Sequence, residues 1–400
     1  MRVCYVSAFF DPHARNARDA LDRMPTVREM ARGQQWLGND VTVVQLYRHD
    51  GIWQEEGIRY RLATPPPGAT ALSRAVARLA SDSQRVRYLV APALSREIAA
   101  ARPDVVHFFG LNLDLNLAIV AGAARRLGVP LVVQFHGGAP ARRRPHRALQ
   151  QRNLSRASRV LFTTADHARP WLDARIVRAG QVAEVMETST TFQMLPRDDA
   201  RRESGMTGHP ILLWTGRLHP VKDPLTALRG FERILPSWPE ARLYMYYLTE
   251  ELLPDVQAFF AARPGLAARV HPCGRVPHER LEAIYSSADI FLQASRHEVA
   301  GIAVLEALAC GVLPVVTDIP SCRAMTAGGT HGTLFAPGDD VALADALRRI
   351  DLDRLPDLAV AARAHFDAAL SFPAQARRLD AIYRCLVAMP TEGGSRCASG

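Results

Sequence analysis

Apolar residues along this chain fall in short unbroken runs rather than in strict alternation. In the first half, residues 3–8, 40–46, 104–109, 130–135, 159–163 and 182–186 each read as a strand. A strand apolar on both faces belongs to a parallel sheet covered by helices on either side. Helical spacing predicts helices over 26–37 and 115–127 and around 145–154, and Thr64-Pro65-Pro66-Pro67-Gly68 is a loop. Residues 188–209 break the pattern: polar and charged, with Pro196, Gly205 and Gly208, they read as a linker. The alternation then resumes. Strands are predicted over 211–215, 241–246, 269–271, 289–293 and 313–317. Helices are predicted over 224–235, 252–262, 277–286, 301–309, 341–350, 358–370 and 374–387.

Two βα-repeating halves joined by a linker predict an α/β protein of two doubly wound, Rossmann-like domains. The expected boundaries are 1–187 for the N-terminal domain, 188–209 for the linker and 210–370 for the C-terminal domain. A helix over 371–390 is expected to pack back towards the N-terminal domain, ahead of a flexible tail over 391–400. At about 150 residues per domain, 400 residues agree with this division. Ligands of such sheets bind beyond the carboxyl ends of the strands, so two facing domains are expected to form one deep cleft.

Composition narrows the function. Hydrophobic residues make up 48% and charged residues 22%, which excludes extensive disorder. No run of about 18 apolar residues predicts a transmembrane helix. The opening apolar run meets Asp11 at once, so no signal peptide is read. Cys4, Cys273, Cys310, Cys322, Cys385 and Cys397 lack C-x-x-C and zinc spacing. They read as single small hydrophobes in a reduced compartment, which predicts a cytoplasmic protein. The net charge of +9 rests on 48 arginines and a single lysine, Lys222. Residues 115–165 hold nine arginines and no acid, Arg142, Arg143, Arg144 and Arg147 among them. That face is either merely solvated or a dock for anionic lipid or an acidic acceptor, which would place the protein peripherally at the inner membrane face. The run from Arg142 to Arg156 has no interleaved aromatics, which argues against nucleic acid.

Candidate chemistry clusters at strand ends. In Gly216-Arg217-Leu218-His219-Pro220-Val221-Lys222-Asp223-Pro224 a glycine turns the chain off a strand and two cations follow. Asp223 can cap the next helix and Pro224 suits its first turn. A guanidinium fork and an ammonium beside a helix start suit a diphosphate; the alternative is an ordinary solvated loop. In Glu298-Val299-Ala300-Gly301-Ile302-Ala303-Val304-Leu305-Glu306, Glu298 precedes a helix and Glu306 lies inside it among apolar neighbours. A carboxylate there needs partners, for which ribose hydroxyls are suited. Gly301 permits close approach of backbone to ligand. The alternatives are a Ser295-x-x-Glu298 capping box and a buried arginine paired with Glu306. His136, after a strand and before Gly137-Gly138, could bind a sugar hydroxyl or move a proton; His107, inside its strand, reads as structural.

In this order these residues resemble the retaining glycosyltransferases of family 4, which have the GT-B fold. The likeness covers most of the chain and is strongest over 212–338. G-R-x-x-x-x-K appears as Gly216-Arg217 to Lys222, and E-x7-E as Glu298 and Glu306. The stretch Ala307-Leu308-Ala309-Cys310-Gly311-Val312-Leu313-Pro314-Val315 and the element Ala336-Pro337-Gly338-Asp339 follow. The resemblance implies an N-terminal acceptor domain and a C-terminal nucleotide-sugar domain. It implies donor diphosphate on Arg217 and Lys222, ribose on Glu306, and donor sugar on Glu298 and the Gly301-Ile302 loop. The base would lie at Gly274-Arg275-Val276. Gly216 shapes the turn and His136 matches the family's cleft histidine, so His136, Arg217, Lys222 and Glu298 would be the catalytic set.

The sequence departs from the family in its linker and in two loops: the common N-G-V-D linker element is missing, with Glu187-Thr188-Ser189-Thr190 near its place. Glu298-Val299-Ala300-Gly301 stands where the family often writes E-G-F-G. Residues 11–19 form a longer, charged loop where a Gly-Gly pair is common, with Arg15, Arg18 and His136 as acceptor candidates. Asp351-Leu352-Asp353 has a metal–diphosphate form but lies in a helix-rich tail. The expected activity is sugar transfer from a nucleoside diphosphate sugar to an acceptor hydroxyl with retention, without metal or other cofactor. A sugar-nucleotide epimerase of the same architecture is the alternative.

Overall fold

The computed structural model describes residues 1–11, 13–66, 91–111 and 114–388. Its first sheet holds β1 (Arg2–Ser7), β2 (Asp40–Leu46), β3 (Gly51–Glu55), β4 (Ile58–Ala63), β5 (Val105–Phe109), β6 (Leu131–Gln134), β7 (Arg159–Phe162) and β8 (Val182–Glu184). Their spatial order is β3-β4-β2-β1-β5-β6-β7-β8, parallel except for the β3–β4 hairpin. The second sheet holds β9 (Ile211–Gly216), β10 (Arg242–Tyr247), β11 (Val270–Gly274), β12 (Ile290–Gln293), β13 (Leu313–Thr317) and β14 (Thr333–Phe335). Its order is β11-β10-β9-β12-β13-β14, all parallel. The central strands β1, β5, β6, β12 and β13 are almost wholly buried, as unbroken apolar runs require.

Residues 1–187 and the helix Phe372–Ala388 form one compact unit, and residues 188–371 form a second. In the first unit the C-terminal helix crosses the helix Pro25–Trp36 so closely that a Cβ on Gly33 would lie 2.6 Å from Ala376 Cβ. Gln34 Nε2 donates to the Ala376 carbonyl at 2.7 Å, and Asn39 Nδ2 donates to Asp380 at 2.8 Å. Tyr383 sits in the core with Tyr5, Phe109 and Leu161. Its hydroxyl bonds His107 Nδ1, and burial pushes that imidazole down to about 3. His107 is thus a core group.

The structure differs from the sequence reading in several elements. The hairpin β3–β4 alternates exposed and covered positions, so it lacks the apolar run by which the other strands were read. The expected linker contains the helix Arg197–Ser204, nearly all charged, and folds as part of the second unit. Asp289 anchors that helix: it accepts from Arg197 and from Arg201 at 2.9 and 3.0 Å. The helix Pro320–Met325 and strand β14 were also unread, both being short. Pro67, Gly68, Pro12, Cys397 and the tail over 391–400 lie outside the described residues. Cys4, Cys310 and Cys322 are buried and free, as small hydrophobes should be. Two cysteines depart from that picture: Cys273 is exposed, and Cys385 is disulfide-bonded. Among the described residues no helix is long and apolar enough to cross a membrane.

Candidate functional site

In the second sheet the strand order reverses between β9 and β12, and each carries a candidate loop from its carboxyl end. Such a switch point leaves a crevice in which ligands of doubly wound sheets bind. Gly216 ends β9 and Arg217 follows, exposed. His219 caps a single turn over Pro220–Lys222. Asp223, left-handed at φ +43°, then caps the helix Pro224–Ile234 by accepting from Thr226 N, with Pro224 in the first turn. The β12 loop is tied to this one. Arg296 N donates to the Val221 carbonyl at 2.8 Å, and its guanidinium pairs with Asp223 at 2.8 Å.

That cross-brace brings Lys222 to Glu298. The ammonium bonds Glu298 Oε1 directly, and Gln293 Nε2 donates to the same oxygen at 3.0 Å. Both charged side chains are largely withdrawn from water, at 16% and 11% exposure. Ser321 Oγ holds the Glu298 carbonyl at 3.2 Å. The capping-box alternative does not hold, because the helix begins only at Ile302 and Ser295 Oγ bonds nothing among the described residues. Gly301 makes the turn instead, at φ +63°, and a Cβ placed on it would lie 3.9 Å from Glu298 Cβ. A Cβ there would also meet Met325 Cε at 2.7 Å. Ile302 is half exposed at the helix start.

Glu306 is buried within that helix. No arginine pairs with it among the described residues; His278 Nε2 lies 3.7 Å from its Oε1, and its charge, with burial, holds the Tyr285 phenol protonated. Glu306 holds the His278 imidazole above its ordinary basicity. Gly274 ends β11 at φ +69°, followed by exposed Arg275 and half-buried Val276. No hydrogen bond or ion pair joins these three to Lys222 or Glu298 among the described residues.

In the first unit, His136 follows β6 and packs on Phe109 with ring centroids 5.5 Å apart. Its Nδ1 faces Glu187 Oε2 at 3.4 Å, and that oxygen is buried and takes no hydrogen bond among the described residues. Burial pushes Glu187 up to about 8 and pulls His136 down. The His136 side chain keeps 31% of its surface exposed, so its desolvation is the shallower of the two. Arg18 is tied to Glu55 at 2.7 Å, whereas Arg15 is 84% exposed and only 3.7 Å from Asp19. Asn16 caps the helix Ala17–Asp22 inside the expected loop. Arg142, Arg143, Arg144 and Arg147 are exposed around the start of the helix Arg144–Leu154, whose first turn has no acid. Asp351 caps its own turn by accepting from Asp353 N. No group of three or more His, Cys, Asp or Glu residues able to hold a metal occurs among the described residues.

Sequence reasoning missed Gln293, Tyr285, His278, Arg296 and Glu187. Gln293 carried a signal, being a polar residue closing an otherwise apolar strand.

The family described as "Glycosyl transferases group 1" matches residues 209–353, and that described as "Glycosyl transferase 4-like domain" matches residues 25–186. The chain is 28% identical over 222 residues to a D-inositol 3-phosphate glycosyltransferase of Nocardia farcinica, covering 53% of this chain and 49% of that one. It is 28% identical over 294 residues to a GDP-mannose:cellobiosyl-diphosphopolyprenol alpha-mannosyltransferase of Xanthomonas campestris, covering 70% and 71%. Sucrose-phosphate synthase of Thermosynechococcus elongatus superposes with TM-score 0.69 at 18% identity, over 97% of this chain and 99% of that one. Anabaena HepE in complex with UDP superposes with TM-score 0.67 at 15% identity, over 96% and 100%.

Proposed function

Since the chain belongs to the group 1 glycosyltransferases of family 4 type, with the GT-B fold, we propose that it moves a sugar from a nucleoside diphosphate sugar to an acceptor hydroxyl with retention and without a metal. The observation that carries this is the meeting of Lys222, Glu298 and Gly301 at the β9–β12 switch point, with Glu306 buried in the helix that Gly301 starts.

In this reading Lys222 and Arg217 offset the charge that gathers on the leaving diphosphate, the task a metal performs elsewhere. Glu306 accepts from the ribose hydroxyls. Glu298 and the backbone at Gly301 and Ile302 position the donor sugar, and Gly274-Arg275-Val276 flanks the base. His136, in the other unit, belongs with the acceptor. Transfer is front-face: the acceptor oxygen bonds the anomeric carbon as the diphosphate departs and takes the acceptor proton. No carboxylate nucleophile is needed, and the protein contributes positioning and leaving-group stabilisation. The family matches favour transfer over the epimerase and nucleic-acid readings. Cytoplasmic location and an anionic membrane or acceptor approaching through Arg142, Arg143, Arg144 and Arg147 complete the proposal.

Thermal unfolding of wild type and Lys222→Ala with UDP-, GDP- and ADP-sugars tests the donor site. A ligand at 100 times its Kd adds about 2.7 kcal/mol of stability. A shift with one nucleotide that vanishes in the variant supports the reading; no shift with any, from folded wild type, defeats it. With the donor known, the anomeric configuration of the product by NMR tests retention, and undiminished turnover in EDTA tests metal independence.

A further inference from the structure

Two strand ends of the first sheet bring a carboxyl group to an imidazole. β6 ends at Gln134, and Phe135 N donates to the Leu161 carbonyl at 2.9 Å, which fixes the backbone leading to His136. β8 ends at Glu184. Val185 N then donates to the Phe162 carbonyl at 2.8 Å, and Met186 N donates to Gln375 Oε1 at 3.2 Å. The Met186 carbonyl accepts from Gln134 Nε2 at 3.4 Å, so the backbone leading to Glu187 is fixed as well. From these two supports Glu187 Oε2 and His136 Nδ1 face each other at 3.4 Å. Phe109 packs on the imidazole at 5.5 Å, and His107 stacks on Phe109 at 4.7 Å. Glu187 heads the segment standing near the place of the family's N-G-V-D element, so this carboxyl group comes from a departure of this chain.

The pair holds either an imidazolium facing a carboxylate or a neutral imidazole facing a carboxylic acid. Both arrangements contain the same protons. A buried ion pair is favourable only where further donors meet the lone pairs of the carboxylate. Glu187 Oε2 is buried, and no other donor reaches it among the described residues. The neutral pair removes both charges. It needs one donor and one acceptor, which a carboxylic acid and an unprotonated ring nitrogen supply. The 3.4 Å gap closes to a formed hydrogen bond by a shift of about half an ångström. Burial acts in the same sense on both groups: it keeps the proton on Glu187 up to about 8 and draws the imidazole below its ordinary value. The other titratable group in this place is His107, which burial also keeps neutral, with its Nδ1 bonded to the Tyr383 hydroxyl.

We propose that Glu187 is the positioning residue of His136: its carboxyl group donates from Oε2 to Nδ1, fixes the rotation of the ring and keeps the single ring proton on Nε2. His136 then meets a ligand as an uncharged N–H donor, suited to a sugar hydroxyl oxygen, and does not act as a base. That agrees with a transfer in which the departing diphosphate takes the acceptor proton. The consequence for the ligand rests on the reading of His136 as the histidine that meets the acceptor; the pair itself does not.

The test is the tautomer of His136, read by long-range proton–nitrogen NMR correlation on the full chain labelled with 15N-histidine and free of ligand. His136→Gln assigns the signal by its loss. At neutral pH, wild type should show an unprotonated Nδ1 and a protonated Nε2. Above the value of about 8 at which Glu187 ionises, its carboxylate can only accept, and the ring proton should move to Nδ1. Glu187→Gln keeps a donor and cannot ionise, so it should hold the Nε2–H form on both sides of that value. Glu187→Ala should mix the two tautomers. An imidazolium in wild type at neutral pH, or a ring proton on Nδ1 there, overturns the proposal, and this needs no variant to fold. A Glu187→Ala protein with the wild-type tautomer overturns it too. The underlying reading fails differently. Release of nucleoside diphosphate from UDP-, GDP- and ADP-sugars, with water as acceptor, should fall about tenfold in Glu187→Ala, the scale of one misplaced hydrogen bond. The expected tautomers with undiminished release in both Glu187→Ala and His136→Gln would keep the pair and remove His136 from the reacting groups.

Discussion

The ammonium of Lys222, the only lysine in the chain, is bonded to the carboxylate of Glu298, 76 residues further on. Gln293 shares the same oxygen, which leaves Glu298 Oε2 outside both bonds. Lys222 is thus paired with one carboxylate, and its ammonium makes no other hydrogen bond among the described residues, so the proposed diphosphate would be its second anion. An ammonium can serve both because its three protons diverge, whereas a guanidinium holds its donors in one plane.

Lys222→Ala leaves Glu298 largely buried with Gln293 as its one side-chain donor. The expected loss of stability is about 2 kcal/mol, below the range for fully buried pairs because both groups retain some solvent. Lys222→Arg keeps the charge and should fold, yet lose at least about tenfold in nucleoside diphosphate affinity, by the geometric cost of a misplaced charge-assisted bond. Calorimetric titration of both variants checks this; an arginine variant that binds as wild type does would make the position a matter of charge alone.

Lys222 stood out in the sequence because forty-eight arginines surround it in composition, and Glu298 and Glu306 stood out because carboxylates next to apolar helical residues are expensive. What the sequence could not show was how the loops meet. The brace from Arg296 to Asp223 and Val221 joins residues more than seventy positions apart, and neither partner is unusual in its own neighbourhood. The helix Arg197–Ser204 was hidden for a related reason. Its pattern is that of a solvated loop, and its order comes from Asp289 on the distant start of β12. The strands of the two sheets were legible because burial on both faces leaves a local trace, whereas the β3–β4 hairpin, exposed on one side, leaves almost none.

Asp289 offers a second prediction. Its carboxylate is 6% exposed and accepts from Arg197, Arg201 and the Ile211 amide, the last at 2.7 Å. Asp289→Ala orphans these donors together. The expected cost is about 3 kcal/mol, the lower end for broken buried pairs because both arginines keep contact with water. Hydrogen exchange should rise first in residues 197–204. Protection there that matches wild type would show that the helix is held by its apolar contacts alone.

Gly301 supplies a third. An alanine there would take a left-handed conformation costing about 1 kcal/mol or more, and its Cβ would press on Met325 Cε. The methionine end can shift, so the protein should fold with a melting temperature lower by about 2–4 °C. Under the proposed role of this turn, affinity for the sugar nucleotide should fall more than affinity for the bare nucleoside diphosphate. Equal loss of both, measured side by side, would remove the turn from the sugar pocket and leave it a purely conformational feature.

The pair His136 and Glu187 makes stability depend on pH in a direction set by burial. Glu187 titrates at about 8 in the folded protein against 4.5 as an ordinary carboxyl, so between those values the native state holds the extra proton. Stability rises with pH only where the unfolded state binds more protons, so this group makes stability fall as pH rises. His136 acts oppositely: its folded value lies below 6.5, so its contribution grows as pH climbs towards 6.5 and is constant above it. The two slopes oppose each other below pH 6.5, and above it Glu187 alone acts, so its contribution to stability should decline between about pH 6.5 and 8. Glu187→Gln removes the titrating proton and keeps the shape. Melting curves of wild type and Glu187→Gln across that window should diverge, the wild type losing stability relative to the variant as pH rises. Parallel curves would mean that Glu187 is already ionised at neutral pH and that its 3.4 Å approach to His136 is an ordinary ion pair.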